Sequence, residues 1–476
     1  MFDVAQVFLS DRDVCIINNQ MNLGDTVRPT MEERLANGKS LRQSAPRSAH
    51  AQWKPAADRP DVVEMLIESG RGRLESLAPI RYARMLTSPF AFFRGSAASM
   101  AFDLASTPAS GVCVQLCGDC HMGNFGGFAT PERRLIFDMM DFDETIPGPW
   151  EWDIKRLGTS FQLAGRSIGL SEANCEEAVL NLGQAYRKRL FELSQMKTMD
   201  AFYTSIGLDT YIAQAGDART RKGREQMVSK ARKRTSDQFF SKSVRLVDGR
   251  WRILDDPPFL FHPPRNTRFD AEFRETFDGY KATLSDDKQM LLQRFEVMDV
   301  AMKVVGVGSV GTRCGVILLM AGDDDPLILQ IKEARQSALE QFVGRSRYEN
   351  MGQRVVMGQR LLQSASDIFL GWGTEPGGQH YYIRQLRDMK KGPEIESFWA
   401  DRLIDSAELC GWALAHAHAR SGDAARISGY LGKSDAFDLA LAAFSQAYAD
   451  QSERDYQAMR AAARSGKLPV DVNTIN

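Results

Sequence analysis

The sequence predicts an α+β protein in two parts, a small lobe built on an antiparallel sheet and a larger, mostly helical one. Three observations carry this. Residues 300–390 alternate short apolar runs with polar or Gly-rich turns around a single helical stretch. The chain has helical periodicity from Trp152 to about Leu193 and again from about Phe398 onward. Two isolated strands, in GVCVQLC and RRLIFDMMDFD, stand among helical segments rather than in a block of strands.

Composition sets the bounds. The 476 residues carry 60 Lys+Arg against 61 Asp+Glu, a formal net charge of −1, with 43% hydrophobic and 25% charged residues. This is the balance of a globular chain, long enough for a large core without staples. At ~150 residues per domain it allows about three units, or two with insertions. The near-zero charge argues against a generic polyanion binder, because such affinity comes mostly from basic charge. MFDVAQVFLSDRD has neither a basic region nor a sustained apolar one, and no apolar run approaches the ~18 residues of a membrane span. Seven cysteines without scaffold spacing favour a reduced, cytoplasmic chain.

Four segments follow. Residues 1–60 are expected to be an N-terminal arm, extended or partly mobile, because 24–60 are poor in apolar residues. Residues 61–299 form the first segment of the large lobe. They begin with helical periodicity at 61–85, continue with a short helix in SASMAFDLA, and then give a strand in GVCVQLC. GDCHMGNFGGF reads as a loop, RRLIFDMMDFD as a strand, and IPGPW as its breaker. Residues 217–243 are basic and mostly polar, and read as a solvated helix face, with a basic wall facing an anionic ligand as the alternative. DDPPFLFHPPR is a Pro-rich connection. Residues 300–390 are the small lobe, with strands in KVVGVGSVGTRCGVILLMAG, PLILQIKEA, DIFLGW and HYYIRQL and a helix in RYENMGQRVVMGQRLLQ. Residues 391–476 are helices that complete the large lobe.

The segment from Cys117 to Asp153 is the richest in chemistry. Asp119 is followed five positions later by Asn124 on a Gly-containing loop, and the next strand ends in Asp141-Phe142-Asp143. Phosphoryl transfer needs this set: a carboxylate to accept the attacking hydroxyl's proton, and an Asn oxygen with another carboxylate to hold Mg²⁺ against phosphates. GDCHMGNF resembles the catalytic loop of the aminoglycoside-phosphotransferase and choline-kinase-like branch of the protein-kinase-like superfamily, which reads roughly H-G-D-x-H-x-x-N. LIFDMMDFDETIPGPWEWDIKRL resembles the strand and helix that follow it there. The matching positions are Gly118, Asp119, His121, Asn124, Asp141, Asp143 and Asp153. The departure is Cys117, where that branch usually has His.

A second group is Gly306-x-Gly308-x-x-Gly311, between strands, followed by Lys332 in LILQIKE. That strand resembles the kinase strand whose lysine holds the α/β-phosphates, with Glu349 on the next helix as its partner and Glu340 as second choice. In the superfamily these elements precede the catalytic loop, whereas here they follow it by nearly two hundred residues. The resemblance therefore implies a circularly permuted, two-lobed kinase-like fold, in which the helix ending near His416 and His418 lies just before the catalytic loop. RYARMLTSPFAFFRG, YYIRQLRDMK and LAHAHARSGD, with the catalytic segment, also resemble the bacterial domain-of-unknown-function family 2252.

Cys117-Gly-Asp-Cys120-His121 also matches C-x-x-C-H, but no export signal accompanies it, and no second Cys/His pair has zinc spacing. The expectation is an ATP- and Mg²⁺-dependent phosphotransferase acting on a small molecule. Asp119 is the base. Gly306, Gly308, Gly311, Lys332 and Glu349 hold the nucleotide. Asn124, Asp141 and Asp143 serve the metal. Alternatives are a nucleotide-binding pseudokinase acting as scaffold or sensor, and an AMP transferase on the same fold.

Overall fold

The computed structural model describes residues 29–471, apart from 214, 217, 234–235, 264–266, 305, 323 and 387–391. The first 28 residues of the expected arm therefore lie outside the described residues. The rest is a mixed α+β structure with small antiparallel sheets.

In chain order the strands are β1 Cys113–Leu116, β2 Phe125–Ala129, β3 Leu135–Met139, β4 Ile146–Pro149, β5 Ile206–Gly207, β6 Val244–Val247, β7 Arg250–Ile253, β8 Leu260–Phe261, β9 Glu296–Lys303, β10 Cys314–Met320, β11 Pro326–Ala334, β12 Gly371–Thr374 and β13 His380–Gln385. The largest sheet has the order β12-β13-β11-β10-β9-β8, and its pairings are antiparallel. CGVILLM of β10 is buried throughout because both faces are covered. Val316, Leu318 and Met320 face a cluster with Phe239, Val244 and Ile253, while Ile317 and Leu319 face Phe277, Tyr280 and Leu284. The alternation is the period of two that a strand imposes. The cover on both faces thus comes from residues 239–284, which the sequence reading assigned to the larger part.

The main helical core gathers the helices Trp150–Ser167, Glu172–Gln195, Ala400–Ser421, Ala424–Leu431 and Ala436–Arg464. The Glu172 and Ala400 helices approach closely at Gly411, where an added Cβ would lie 2.8 Å from the Leu182 carbonyl. The described part of the arm is not extended. Met31–Ser40 is a helix opened by a Thr30–Glu33 capping box. It rests on the Ala424 helix through glycine, since a Cβ on Gly429 would sit 2.1 Å from the Leu35 carbonyl. Contact through backbone needs no apolar side chains, so an apolar count could not reveal it.

Two further corrections fall beside the site. IPGP is not a breaker but β4, antiparallel to β1 with Leu116 opposite Ile146. A two-stranded pair leaves each strand an open edge, where proline's missing N–H is tolerated. FGGFA, read as loop, is β2 and pairs with β3 from Phe125–Met139 to Ala129–Leu135.

The core also holds neutral histidines. His50 Nε2 lies 2.6 Å from the Tyr430 hydroxyl, and His416 Nε2 accepts a hydrogen bond from Arg189 Nε at 2.8 Å. Burial first, then the positive charge of Lys155 for His50 and of Arg189 and Arg420 for His416, pulls each pKa down to about 3. The unfolded chain binds these protons near pH 6.5 and the folded chain does not. Stability should therefore be level above about pH 7 and fall as pH drops from 6.5 towards 5. His416→Gln should reduce that slope. Melting temperatures followed by circular dichroism test this, and a flat profile across the interval would contradict it.

Candidate functional site

The Cys117–Asn124 loop leaves β1 and is fixed from below by one carboxylate. Asp153, in the first turn of the Trp150 helix, accepts the N–H of Cys117 at 2.7 Å and of Gly118 at 3.0 Å. His418 Nε2 stands 3.4 Å from Asp153 Oδ2, and Tyr186 reaches the other ring nitrogen at 2.7 Å. Gly118 has φ +87°, and a Cβ there would lie 2.3 Å from the Glu144 carbonyl. Only glycine allows this turn and this approach. Asn124 Nδ2 donates to the Asp119 carbonyl at 2.9 Å, and the Asn124 carbonyl accepts from the N–H of Met140 at 2.8 Å. The loop is thereby tied to the residue before Asp141.

Asp119 is half-buried. Its Oδ1 accepts Arg156 Nε at 2.8 Å and Nη2 at 2.5 Å, while Oδ2 is left with His121 Nε2 at 3.8 Å. Arg156 is buried, lies over the Phe93 ring at 4.3 Å, and donates to the Phe93 carbonyl. His121 is buried with its Nδ1 unpartnered, and burial together with Arg94 and Arg156 keeps it uncharged.

Lys332 on β11 meets the end of the β3 segment. Its Nζ donates to Asp143 Oδ2 at 2.6 Å, across a sequence separation of 189 residues. Tyr382, opposite Lys332 in the β11–β13 register, donates to Asp143 Oδ1 at 2.7 Å, and Ser309 Oγ donates to Oδ2 at 3.1 Å. Burial alone would raise the Asp143 pKa, but Lys332 and these hydrogen bonds carry it well below the usual carboxylate range. Burial would lower the Lys332 pKa, but Asp141 and then Asp143 hold it well above the ordinary value. The pair is fully ionised at neutral pH.

The glycine loop closes the site from the other side. Arg73 Nη1 donates to the carbonyls of Gly308 at 2.6 Å and Val310 at 2.8 Å, and Arg84 Nη1 donates to that of Gly306 at 2.6 Å. The N–H groups of Gly306, Val307, Gly308 and Ser309 find no acceptor among the described residues. A Cβ on Gly308 would lie 3.3 Å from the Arg94 carbonyl and 4.0 Å from Asp119 Oδ2. Gly311, at φ +90°, packs on Arg73 at the base of the loop and accepts the Leu74 N–H.

The structure thus brings together Asp119, Asn124, Asp141, Asp143, Gly308 and Lys332. It does not bring Glu349 to them. Glu349 is exposed, just before the Asn350 cap of the Met351–Leu362 helix, and makes no hydrogen bond or ion pair with Lys332. Glu340 is buried and accepts from Gln336. The helix presents Arg354 instead, which is buried and donates to the carbonyls of Asp143, Thr145 and Arg335 at 2.6–2.7 Å. Asp143 has both oxygens occupied by protein donors, so it is not an open metal ligand. Among the described residues, Asp141 has a freer carboxylate, with one long contact from the Asp143 N–H at 3.4 Å, and the Oδ1 of Asn124 accepts nothing.

Sequence reasoning missed Arg73, Arg156, Ser309, Arg354 and Tyr382. Their signal was weak: Arg73 lies in a turn outside any motif, Ser309 stands at an unassigned position of the Gly306–Gly311 motif, Arg156 and Arg354 were visible only as helix residues, and Tyr382 only as a strand residue. Among the described residues no three His, Cys, Asp or Glu are grouped to hold a metal by themselves. Cys117 and Cys120 are buried free thiols, and burial leads in pushing the Cys120 pKa well up.

A family described as an uncharacterized protein conserved in bacteria, domain-of-unknown-function family 2252, matches residues 73–462. The chain belongs to this family. The match spans the loop, the β3 segment, the glycine loop and Lys332. No curated protein and no solved structure matches the chain. Among the described residues no helix is long and apolar enough to cross a membrane.

Asp153 is the residue on which loop geometry depends. Asp153→Ala would leave two buried N–H groups without acceptors, each costing about 1–3 kcal/mol. Stability should fall by about 2–6 kcal/mol, and Asp153→Asn should lose less because its amide oxygen can still accept. Urea midpoints test this, and a loss under about 1 kcal/mol for the alanine variant would contradict it.

Proposed function

We propose that this chain is an ATP- and Mg²⁺-dependent phosphotransferase of permuted, two-lobed kinase-like architecture, acting on a small-molecule acceptor. The observation that carries the reading is the meeting of two distant groups. Lys332 lies 2.6 Å from Asp143, and the glycine loop passes over Asp119. The permuted order finds support at the end of the Ala400 helix. There an added Cβ on Gly422 would fall 2.6 Å from Val114 Cγ1 of β1, the strand that leads into the catalytic loop.

Each residue has a chemical task in this reading. The unpartnered amides of the glycine loop and the Lys332 ammonium receive the phosphates of ATP. Asn124 and Asp141 fit Mg²⁺, an ion that prefers one or two protein oxygens and takes the rest from phosphate and water. When bound, Mg²⁺ neutralises charge on the β- and γ-phosphates. The acceptor hydroxyl forms a bond to the γ-phosphorus as the bond from that phosphorus to the β,γ-bridging oxygen breaks. ADP leaves with the electron pair, and the hydroxyl proton passes to Asp119 Oδ2. Arg156 holds Asp119 Oδ1 and so aims Oδ2 away from the helix. Asp143 positions Lys332 in place of the expected glutamate.

Thermal unfolding with ATP plus Mg²⁺ tests the site. Ligand at a hundredfold over its Kd stabilises by about 2.7 kcal/mol. The native protein should show that Mg²⁺-dependent shift, and Lys332→Ala and Asp141→Ala should lose it. Asp119→Asn should keep the shift while losing phosphoryl transfer to any acceptor that the native protein uses. No shift with any nucleotide would overturn the proposal.

A further inference from the structure

A cavity of about 270 Å³ has a lining that includes Arg84, Ser88, Arg94, Gly123, Val307 and Glu396. Asp119 is not in the lining, but its Oδ2 lies 4.0 Å from a Cβ built on Gly308, the neighbour of Val307. Gly123 belongs to the catalytic loop and Val307 to the glycine loop, so the cavity touches both halves of the site. Arg94 ends the short Pro89–Arg94 helix, adjoining Phe93, whose carbonyl holds Arg156. Its own guanidinium is different from the other arginines here. Its Nε is buried with no partner, and among the described residues the side chain makes no hydrogen bond or ion pair. Asp119, Asp141 and Glu396 act on it only through space, against the cost of burial. Arg84 uses Nη1 on the Gly306 carbonyl and lies over the Phe259 ring at 5.3 Å, and among the described residues its other N–H groups make no hydrogen bond.

Arg94 is half-buried; its Nε is buried without a partner, and a ligand that supplies acceptors to the guanidinium relieves the cost of that unmet donor. The planar guanidinium matches the paired oxygens of phosphate or carboxylate. We infer that this cavity is the acceptor subsite, and that the acceptor carries an anionic group which Arg94 and Arg84 hold while its hydroxyl faces Asp119. The inference rests on the phosphotransferase reading for the word acceptor, and on the arginines alone for the anion. Because Arg84 also holds Gly306, an anion bound here would bear on the glycine loop.

Calorimetric titration of the full chain with inorganic phosphate, at constant ionic strength, tests it. The native protein should bind phosphate saturably. Arg94→Met should weaken binding by about tenfold or more, a loss of about 1.4 kcal/mol, and Arg84→Met should weaken it less. Arg94→Lys, which keeps the charge, should recover part of the affinity. Lys332→Met, which disturbs the nucleotide side, should still retain the Arg94-dependent part of the phosphate binding. Absence of saturable binding, or binding unchanged in Arg94→Met, would overturn the inference. Loss in Lys332→Met alone would also overturn it, by assigning the phosphate to the nucleotide side. A parallel titration with ATP and Mg²⁺ separates the two claims. If phosphate needs Arg94 but ATP does not bind, the anion site stands and its role as an acceptor subsite is overturned.

Discussion

The ion pair between Lys332 and Asp143 is the constraint around which the site is built. It joins β11 to the segment after β3. Burying two charges costs several kcal/mol each before their attraction returns anything, and removing one partner of such a pair typically costs about 3–5 kcal/mol. The surroundings answer this on the Asp143 side, where Tyr382 and Ser309 take up the remaining acceptor capacity. On the Lys332 side the answer is partial. The ammonium has three N–H groups and donates one hydrogen bond, to Asp143. Its other stabilisation is the field of Asp141 and the face of Tyr382 at 5.5 Å. A buried lysine with donors to spare, beside a loop with N–H groups to spare, is what a polyphosphate would complete.

Backbone carbonyls held by arginines supply the rest of the frame. Arg73 and Arg84 grip the glycine loop, Arg354 grips the turn after Asp141, and Arg156 spans the Phe93 carbonyl and Asp119. Loops have no ladder to fix them, and their carbonyls need donors when buried. An arginine has five donors in a rigid fork and can hold two or three carbonyls at once. Asp153 performs the converse task by accepting the N–H groups of Cys117 and Gly118. With His418 behind it, Asp153 supplies the loop support where the sequence has Cys117 in place of histidine.

Much of this was legible in the sequence, and the residues explain why. PLILQIKEA is β11 in full, and Lys332 stands out as a charge in an apolar strand. Asp119, Asn124, Asp141 and Gly118 were visible because their spacing has a chemical reason. What was hidden is of three kinds. The helix at Met31–Ser40 packs through Gly38 and Gly429, which leave no apolar trace. The strand β4 looked like a breaker because its prolines sit where N–H groups are not needed. Arg354 in place of Glu349 could not be foreseen, because the Lys332 partner comes from 189 residues away rather than from the neighbouring helix. Local periodicity carries no information about such distant pairings.

The central claim is that one triphosphate spans the glycine loop, Lys332 and the Asn124–Asp141 pair. The most direct measurement is a crystal structure with Mn²⁺ and a non-hydrolysable ATP analogue, the metal located by its anomalous signal. The account predicts Mn²⁺ on Asp141 and the Asn124 side-chain oxygen, with phosphate oxygens on Lys332 and on the amides around Gly308. Nucleotide bound elsewhere, for example in the separate cavity between Tyr211, Arg224 and Trp399, with the Lys332–Asp143 cleft empty, would contradict it.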